Sequence, residues 1–155
     1  MSMERILIVV LCVIIVLLFV KLVIDSIHLK KRKDFDELCS EMDGTDFEFF
    51  CADLLKESGF LDVEVTKLSG DYGVDILAEK DGISFAFQCK NYMSPVGIKA
   101  VQQIYSGKAY YDKMVGVVMT NHCFTKPAID FAEKLNILLW DGEYLKEMAE
   151  ENEVQ

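Results

Sequence analysis

The chain of 155 residues has its longest apolar run close to the amino terminus. From Ile6 to Ile24 only Lys21 interrupts the apolar residues. Such a segment is long enough to cross the hydrocarbon core of a bilayer, which is about 30 Å thick. A cleaved signal peptide is the alternative, but no small-residue cleavage motif follows the run. We therefore expect a tail over residues 1–5, a transmembrane helix over residues 6–24 and a basic juxtamembrane linker over residues 25–34.

Basic residues flank this segment unequally. Residues 30–33 read Lys-Lys-Arg-Lys on the carboxyl-terminal side, whereas Arg5 precedes the segment. The positive-inside rule then places the body of the protein in the cytoplasm. The sequence predicts a single-pass membrane protein whose basic cluster lies near anionic lipid headgroups.

Helical and strand-like patterns alternate along the remaining residues. Apolar residues recur at spacings of three and four where helices are predicted, and they form short runs where strands are predicted. The predicted helices cover about 34–58, with a break at Asp43-Gly44, then 96–111, 126–135 and the residues after Gly142; the predicted strands cover 63–66, 114–119 and 137–140, with a hairpin between 70 and 90. This order predicts an α/β domain with a mixed central sheet flanked by helices.

The predicted hairpin carries the candidate chemistry. Two runs rich in Val, Ile and Phe lie on either side of Asp81-Gly82, a dipeptide typical of a tight hairpin turn. Large residues occupy every second position of residues 83–90, so Gln88 and Lys90 share the opposite face of that strand. Asp75 lies on the facing strand. A carboxylate, an amide oxygen and an ammonium group at one end of a hairpin can bind a divalent cation and a phosphate together.

Asp75 followed by Gln88-Cys89-Lys90 resembles the D…(D/E/Q)-x-K signature of the PD-(D/E)XK nuclease superfamily, in the glutamine variant of Mrr-like restriction endonucleases. Further segments are similar to the Mrr catalytic domain in the same order, among them residues 44–50, 70–75, 101–103 and 120–125. The resemblance covers roughly residues 35–145, and we assign the nuclease domain to residues 35–150.

This resemblance implies a restriction-endonuclease-like fold and a Mg²⁺-dependent endodeoxyribonuclease, with Mn²⁺ as an alternative ion. It implies that Asp75, the Gln88 side chain and the main-chain carbonyl of Cys89 bind the metal, and that Lys90 holds the attacking water. The implied substrate is foreign or modified DNA. The resemblance leaves open a homodimer that cuts both strands.

Two more residues match family positions near the site. Glu48 resembles an additional metal or water ligand, but a carboxylate at the start of a helix also stabilises that helix end. Gln103 resembles a residue close to the active site, but an exposed helical Gln is commonly only a helix former. Both alternatives stay open at the level of the sequence.

Charge argues against a broad DNA-binding surface. From Asp34 onward the chain has ten Lys and no Arg against 24 Asp and Glu, a net charge of −14. DNA-binding domains usually present a basic face. Local lysines, for which we expect Lys67, Lys99 and Lys108, would have to supply the phosphate contacts. Two other functions therefore remain open: a non-catalytic nucleic-acid-binding module that has kept the nuclease fold, and a membrane scaffold or sensor.

Cysteine usage points to a reducing compartment. The five cysteines are odd in number and show no C-x-x-C spacing, so the sequence predicts neither a disulfide framework nor a structural zinc site. Cys89 alternates with Gln88 and Lys90, and we expect its side chain to be a small buried hydrophobe rather than a nucleophile.

Overall fold

A computed structural model describes residues 3–66 and 72–153 of the chain. Lys67 and the first residues of the hairpin segment, Gly70 and Asp71, lie outside the described residues. The chain divides into two compact units, Met1–Asp36 and Glu37–Gln155.

The first helix, α1, runs from Met3 to Glu41. Within it Leu7–Ile27 is a segment of 21 residues with a mean hydropathy of 3.5, and its side chains are exposed. At 1.5 Å per residue this segment is about 30 Å long, the thickness of a bilayer core. A signal sequence meets the same criteria of length and composition. The basic stretch 25–34, expected as a linker, is helical throughout.

The second unit contains four helices and five strands among the described residues. In chain order they are α2 (Gly44–Glu57), β1 (Leu61–Val65), β2 (Ile76–Lys80), β3 (Ile83–Lys90), α3 (Ile98–Tyr110), β4 (Val115–Thr120), α4 (Lys126–Leu135), β5 (Ile137–Trp140) and α5 (Gly142–Glu153).

The five strands form one mixed sheet in the order β1-β2-β3-β4-β5. The β1–β2 and β2–β3 pairs are antiparallel, and the β3–β4 and β4–β5 pairs are parallel. The turn between β2 and β3 consists of Asp81 and Gly82, which have φ angles of 53° and 75°, as the tight two-residue hairpin turn requires. The predicted α/β fold with a mixed central sheet and a hairpin is confirmed.

Helix α3 connects two neighbouring parallel strands. A crossover of this kind brings the carboxyl ends of β3 and β4 to the same edge of the sheet. Lys90 and Thr120 are partners at that edge, and the Thr120 hydroxyl donates a 2.7 Å hydrogen bond to the Lys90 carbonyl. The end of β3 that carries the candidate site is therefore fixed to β4.

Strand β3 is covered on both faces. Ala86 belongs to the core on the side of α3 and α4, and Phe87 belongs to an aromatic cluster on the other side; neither is exposed to solvent. The core on the side of α3 and α4 consists of Val74, Ala86, Val96, Ala100, Val101, Ile104, Val118, Ala128, Ala132 and Ile137. Two packed layers thus enclose the strand that carries Gln88 and Lys90.

Candidate active site

The segment that leads into Asp75 packs closely on helix α3. Gly73 has a φ of +80°, and a Cβ at this position would lie 2.8 Å from Cβ of Gln103. A Cβ on Gly107 would lie 2.5 Å from Cγ2 of Val74 and 2.7 Å from the Tyr72 carbonyl oxygen. Because neither glycine has a side chain, the segment before Asp75 can pack directly against α3.

Asp75 itself is held by strand β3. Its side chain is buried, its N–H donates a 2.7 Å hydrogen bond to the Phe87 carbonyl, and its Oδ2 accepts a 2.6 Å hydrogen bond from the Cys89 N–H. A main-chain donor to a carboxylate favours the ionised form and fixes its direction. Asp75 is thus bound to the residues on both sides of Gln88, through its backbone N–H at Phe87 and through its carboxylate at Cys89.

Gln88 joins Lys90 to helix α3. Only 2% of its surface is exposed, so its amide needs partners within the protein. With the amide oriented to satisfy both neighbours, Nε2 donates to the Ala100 carbonyl at 3.0 Å and Oε1 accepts from Lys90 Nζ at 3.1 Å. The Ala100 carbonyl therefore determines that the oxygen of Gln88, and not its nitrogen, faces Lys90.

Lys90 is the last residue of β3 and is partly exposed. Its carbonyl is bound by Thr120 and its ammonium group by Gln88. The charge is consequently held at the edge of the sheet, where a molecule from solvent can reach it. Asp75 contacts Phe87 and Cys89 on either side of Gln88, and the Lys90 ammonium group contacts Gln88 itself.

Glu48 lies on the second turn of α2, a helix that begins with a capping box. Asp43 Oδ1 accepts a 2.8 Å hydrogen bond from the Asp46 N–H, and Asp46 Oδ2 accepts one of 3.4 Å from the Asp43 N–H. Glu48 and Asp75 lie close enough to Cys89 for both carboxylates to raise the pKa of its thiol. The structure thus brings Glu48 toward the residues of the hairpin.

The pKa of the Cys89 thiol is raised well above its ordinary value. The main cause is a hydrogen bond with the Cys51 side chain, followed by burial and then by the charges of Cys51, Asp75 and Glu48. A thiol in this environment stays protonated and unreactive. This agrees with the expectation that the Cys89 side chain is a buried hydrophobe.

Gln103 lies on α3 beside the turn before Asp75. Its Cβ and carbonyl approach Gly73, and its side chain is partly exposed. The Ala100 carbonyl and the Thr120 hydroxyl, which sequence reasoning did not single out, hold Gln88 and Lys90. A main-chain carbonyl leaves no signal in a sequence, because every residue has one.

The groups expected from the sequence to bind the metal all offer oxygen atoms. Within residues 3–66 and 72–153 there is no group of three or more His, Cys, Asp and Glu side chains that could hold a metal ion. The available donors are the carboxylates of Asp75 and Glu48, the Gln88 amide oxygen and the Cys89 carbonyl. Oxygen donors in small number suit a hard cation such as Mg²⁺, which keeps several waters and shares the phosphate oxygens of a substrate.

A mixed sheet with an Asp and a Gln-x-Lys strand at one edge is the arrangement of nucleases of the PD-(D/E)XK type. Residues 39–149 match the family model Mrr_cat, described as a restriction endonuclease. The chain belongs to this Mrr-like restriction endonuclease family.

Several known proteins are similar to the chain. The type IV methyl-directed restriction enzyme EcoKMrr of Escherichia coli strain K12 is 33% identical over 116 residues, which cover 70% of this chain and 38% of that enzyme. The chain thus spans little more than a third of this relative.

Two solved structures share the fold. The DNA modification-dependent restriction endonuclease AspBHI has a TM-score of 0.59 at 16% identity, with 77% of this chain and 35% of that chain covered. The MspJI restriction endonuclease in complex with a 27-mer oligonucleotide has a TM-score of 0.57 at 20% identity, with 76% and 30% covered. At these identities the likeness shows the fold alone.

Proposed function

We propose that this chain is a membrane-anchored, metal-dependent endonuclease that hydrolyses phosphodiester bonds of DNA in defence against foreign or modified DNA. The observation that carries the proposal is the convergence of Asp75, Gln88 and Lys90 at one end of the hairpin. Membership of the Mrr-like family supports nuclease chemistry. The description of the Escherichia coli relative as a methyl-directed restriction enzyme supports modified DNA as the substrate.

Four groups would hold the metal ion in this proposal: the Asp75 carboxylate, the Gln88 amide oxygen, the Cys89 carbonyl and, from α2, the Glu48 carboxylate. Mg²⁺ or Mn²⁺ bound there would supply Lewis acidity and a water of lowered pKa. Asp75 can serve because its carboxylate is buried beside strand β3, where the Cys89 N–H fixes its direction. The oxygen of Gln88 has a second lone pair besides the one that accepts from Lys90.

Lys90 acts on the water and the phosphate. Its ammonium group orients the attacking water and offsets the negative charge that develops on the phosphoryl oxygens. Gln88 keeps this charge in place through its amide oxygen, and the link to Ala100 keeps Gln88 in place. Gln103 supports the turn before Asp75, which it contacts at Gly73.

We further propose that the segment within residues 6–24 remains in the membrane and that the nuclease domain, residues 35–150, faces the cytoplasm. The apolar helical segment Leu7–Ile27 and the basic residues 30–33 support this arrangement. Cys123, which is exposed, reports on orientation. A membrane-impermeant thiol reagent is expected to label it only after cells are permeabilised. Labelling in intact cells would show that the nuclease domain lies on the outer side of the membrane.

A non-catalytic nucleic-acid-binding module is the second candidate. The observation that favours it is that Gln88 is neutral, so only the carboxylates of Asp75 and Glu48 would bring negative charge to a metal ion. Cleavage assays separate the two functions, because only an enzyme turns over DNA.

The experiment uses the full-length chain purified in a nonionic detergent. Plasmid DNA, methylated plasmid DNA and RNA are each incubated with it, with and without Mg²⁺ or Mn²⁺, and Asp75→Asn serves as the inactive control. We expect metal-dependent cleavage of DNA, strongest for the methylated plasmid, and intact RNA. DNA binding without cleavage in any ion would support the module instead.

A further inference from the structure

Acidic residues are distributed very unevenly along the nuclease domain. Residues 82–129 contain five Lys and one acidic residue, Asp112, a net charge of +4. The rest of the chain from Asp34 onward contains five Lys and 23 Asp and Glu, a net charge of −18. The acid-poor stretch covers β3, α3, β4 and the beginning of α4, so these consecutive elements carry a positive net charge of their own.

Two loops of this stretch meet at the sheet edge that carries Lys90. The Val96 N–H donates to the Cys123 carbonyl at 2.9 Å, and the Thr125 N–H donates to the Val96 carbonyl at 3.0 Å. We call residues 90–99 and 120–126 the loop-edge surface. It contains Lys90, Lys99 and Lys126 and no acidic residue.

The loop after Lys90 is firmly attached to its surroundings. The Asn91 side chain donates hydrogen bonds to the carbonyls of Cys39 and Met42, at 2.9 and 2.8 Å. The Tyr92 N–H donates to Asn121 Oδ1 at 2.8 Å. With Val96 bound at the other end, only three residues, Met93 to Pro95, remain between the attachment points.

This fixed loop holds large apolar side chains in water. Met93 is 83% exposed, the highest fraction of any large apolar side chain that the structure describes, and the neighbouring Tyr92 is 48% exposed. Exposure of adjacent apolar residues on a well-attached loop is typical of a surface that is covered by a partner.

We propose that the loop-edge surface is the DNA-docking face of the domain, and that Met93 and Tyr92 enter a groove of the duplex beside the phosphate at Lys90. The inference rests on the proposed nuclease function, because DNA must bring a phosphate to Lys90 and then covers the neighbouring loop. Elsewhere the domain repels phosphate, and apolar side chains inserted between base steps are a known mode of DNA binding.

The lysines of this surface have unequal roles. Lys99 is exposed in the first turn of α3, whereas Lys126 forms a 2.6 Å ion pair with Asp130. Lys108, expected from sequence to contact DNA, donates to the Met114 carbonyl at 3.4 Å, where β4 begins. The length of β4 separates it from Lys90 by about 16 Å. Lys99 is therefore the main phosphate contact besides Lys90.

The test measures binding of a fluorescein-labelled duplex to the full-length chain in nonionic detergent, without metal ions, over a series of salt concentrations. Lys99→Ala is compared with Lys134→Ala, an exposed lysine in the last turn of α4. Met93→Ala is compared with Met114→Ala, a methionine 64% exposed at the opposite end of the sheet.

Lys99→Ala and Met93→Ala should change the salt dependence of DNA binding in different ways. Lys99→Ala should reduce the slope of log affinity against log salt by about 1, since one phosphate contact is lost. Met93→Ala should weaken binding by about tenfold at every salt concentration with an unchanged slope, since the lost contact is apolar. The two control variants should bind as the wild type does.

Failure of this inference and failure of the proposed function give different results. If the wild type binds and cuts DNA but both surface variants match their controls, DNA docks elsewhere and the inference is wrong. If the wild type neither binds nor cuts DNA, the proposed function fails and the docking face fails with it.

Discussion

The two faces of strand β3 are buried by different means. On one face the rings of Phe85 and Phe87 stack with 5.8 Å between centroids, and Phe60 meets them edge-on at 5.3 and 5.7 Å. On the other face Gln88 and Lys90 form a chain of hydrogen bonds that reaches α3. Strand β3 thus supplies aromatic packing on one side, and on the other side polar groups at its end follow the apolar contact of Ala86.

This difference separates stability from function. Aromatic side chains stabilise a fold through the area they bury, which tolerates small displacements. A buried amide is tolerated only while both of its polar atoms have partners. We therefore expect substitution of the aromatic rings to change the free energy of unfolding, and substitution of the partly exposed Lys90 to change the reaction. Substitution of the buried Gln88 amide should lower stability as well.

The largest effect on stability is expected for Phe87→Ala. The ring is fully buried, so its removal should lower the free energy of unfolding by about 3–5 kcal/mol. The molecules that remain folded should cleave DNA at the wild-type rate. Denaturant unfolding and cleavage per folded molecule check both statements, with Phe49→Ala, 55% exposed on α2, as the near-neutral control. Equal stability of the two variants would contradict the comparison.

Lys90→Ala should affect cleavage far more than stability. Loss of the ammonium group should slow cleavage by about 10²–10³-fold, while the free energy of unfolding falls by only about 1–2 kcal/mol, because the Gln88 oxygen loses its donor. Lys90→Arg should fail as well, because a planar guanidinium cannot replace a compact ammonium group. Single-turnover cleavage measures the effect. Lys80→Ala, at the other end of the hairpin, is the matched control and should leave the rate of the folded protein unchanged.

Gly107→Ala tests whether the polar face depends on the packing of α3. The added methyl group would meet Val74 and the Tyr72 carbonyl, so we expect a loss of about 1–3 kcal/mol in the free energy of unfolding and slower cleavage through displacement of Asp75. Gly44→Ala, where nothing lies within 4 Å, should change neither quantity. A Gly107→Ala protein with wild-type stability would show that the close approach of Gly107 to Val74 and Tyr72 does not contribute to the stability of the fold.

Gln88→Glu should have an effect on stability no larger than that of Gly107→Ala, and the direction of its effect on metal affinity is informative. The second carboxylate oxygen would face the Ala100 carbonyl at about the 3.0 Å now spanned by a hydrogen bond. We expect a loss of about 1–3 kcal/mol in the free energy of unfolding and no gain in Mn²⁺ affinity. Gln102→Glu is the control, because Gln102 is exposed on α3, the helix that carries Ala100. Tighter Mn²⁺ binding at unchanged stability would contradict the role given to Ala100.

The sequence predicts the hairpin well because its signals are local. The hairpin turn requires only two residues with positive φ, which Asp81 and Gly82 provide. The alternation of residues 83–90 determines which side chains share a face of the strand. The order of helices and strands predicts the mixed sheet for the same reason. These features arise from neighbouring residues and need no knowledge of distant contacts.

The supports of the site are harder to predict because they join distant parts of the chain. The Ala100 carbonyl holds Gln88, and Asn91 holds the carbonyl of Cys39, 52 residues earlier. A glutamate at position 88 would keep one oxygen toward Lys90, but its second oxygen would face the Ala100 carbonyl, which accepts from the amide nitrogen of Gln88. The crossover of α3 places Lys108 beside the start of β4, whereas Lys90 pairs with Thr120 at the other end of that strand, so on the proposed docking face Lys108 does not reach the phosphate at Lys90.

The two aspartates that flank β2 allow a matched test of the site assignment. Asp75 and Asp81 lie at opposite ends of β2, so the same substitution can be made at the candidate site and at the hairpin turn. Asn is compatible with the turn, where φ is 53°. Asp81→Asn is therefore a matched control for Asp75→Asn.

Mg²⁺-dependent cleavage of methylated plasmid by the full-length Asp75→Asn and Asp81→Asn proteins, with Mn²⁺ binding measured on the same samples, tests the central claim most directly. The account predicts that Asp75→Asn loses both cleavage and Mn²⁺ binding while it unfolds at the wild-type temperature, and that Asp81→Asn keeps both activities. Unchanged metal-dependent cleavage by Asp75→Asn would contradict the assignment of the hairpin as the active site.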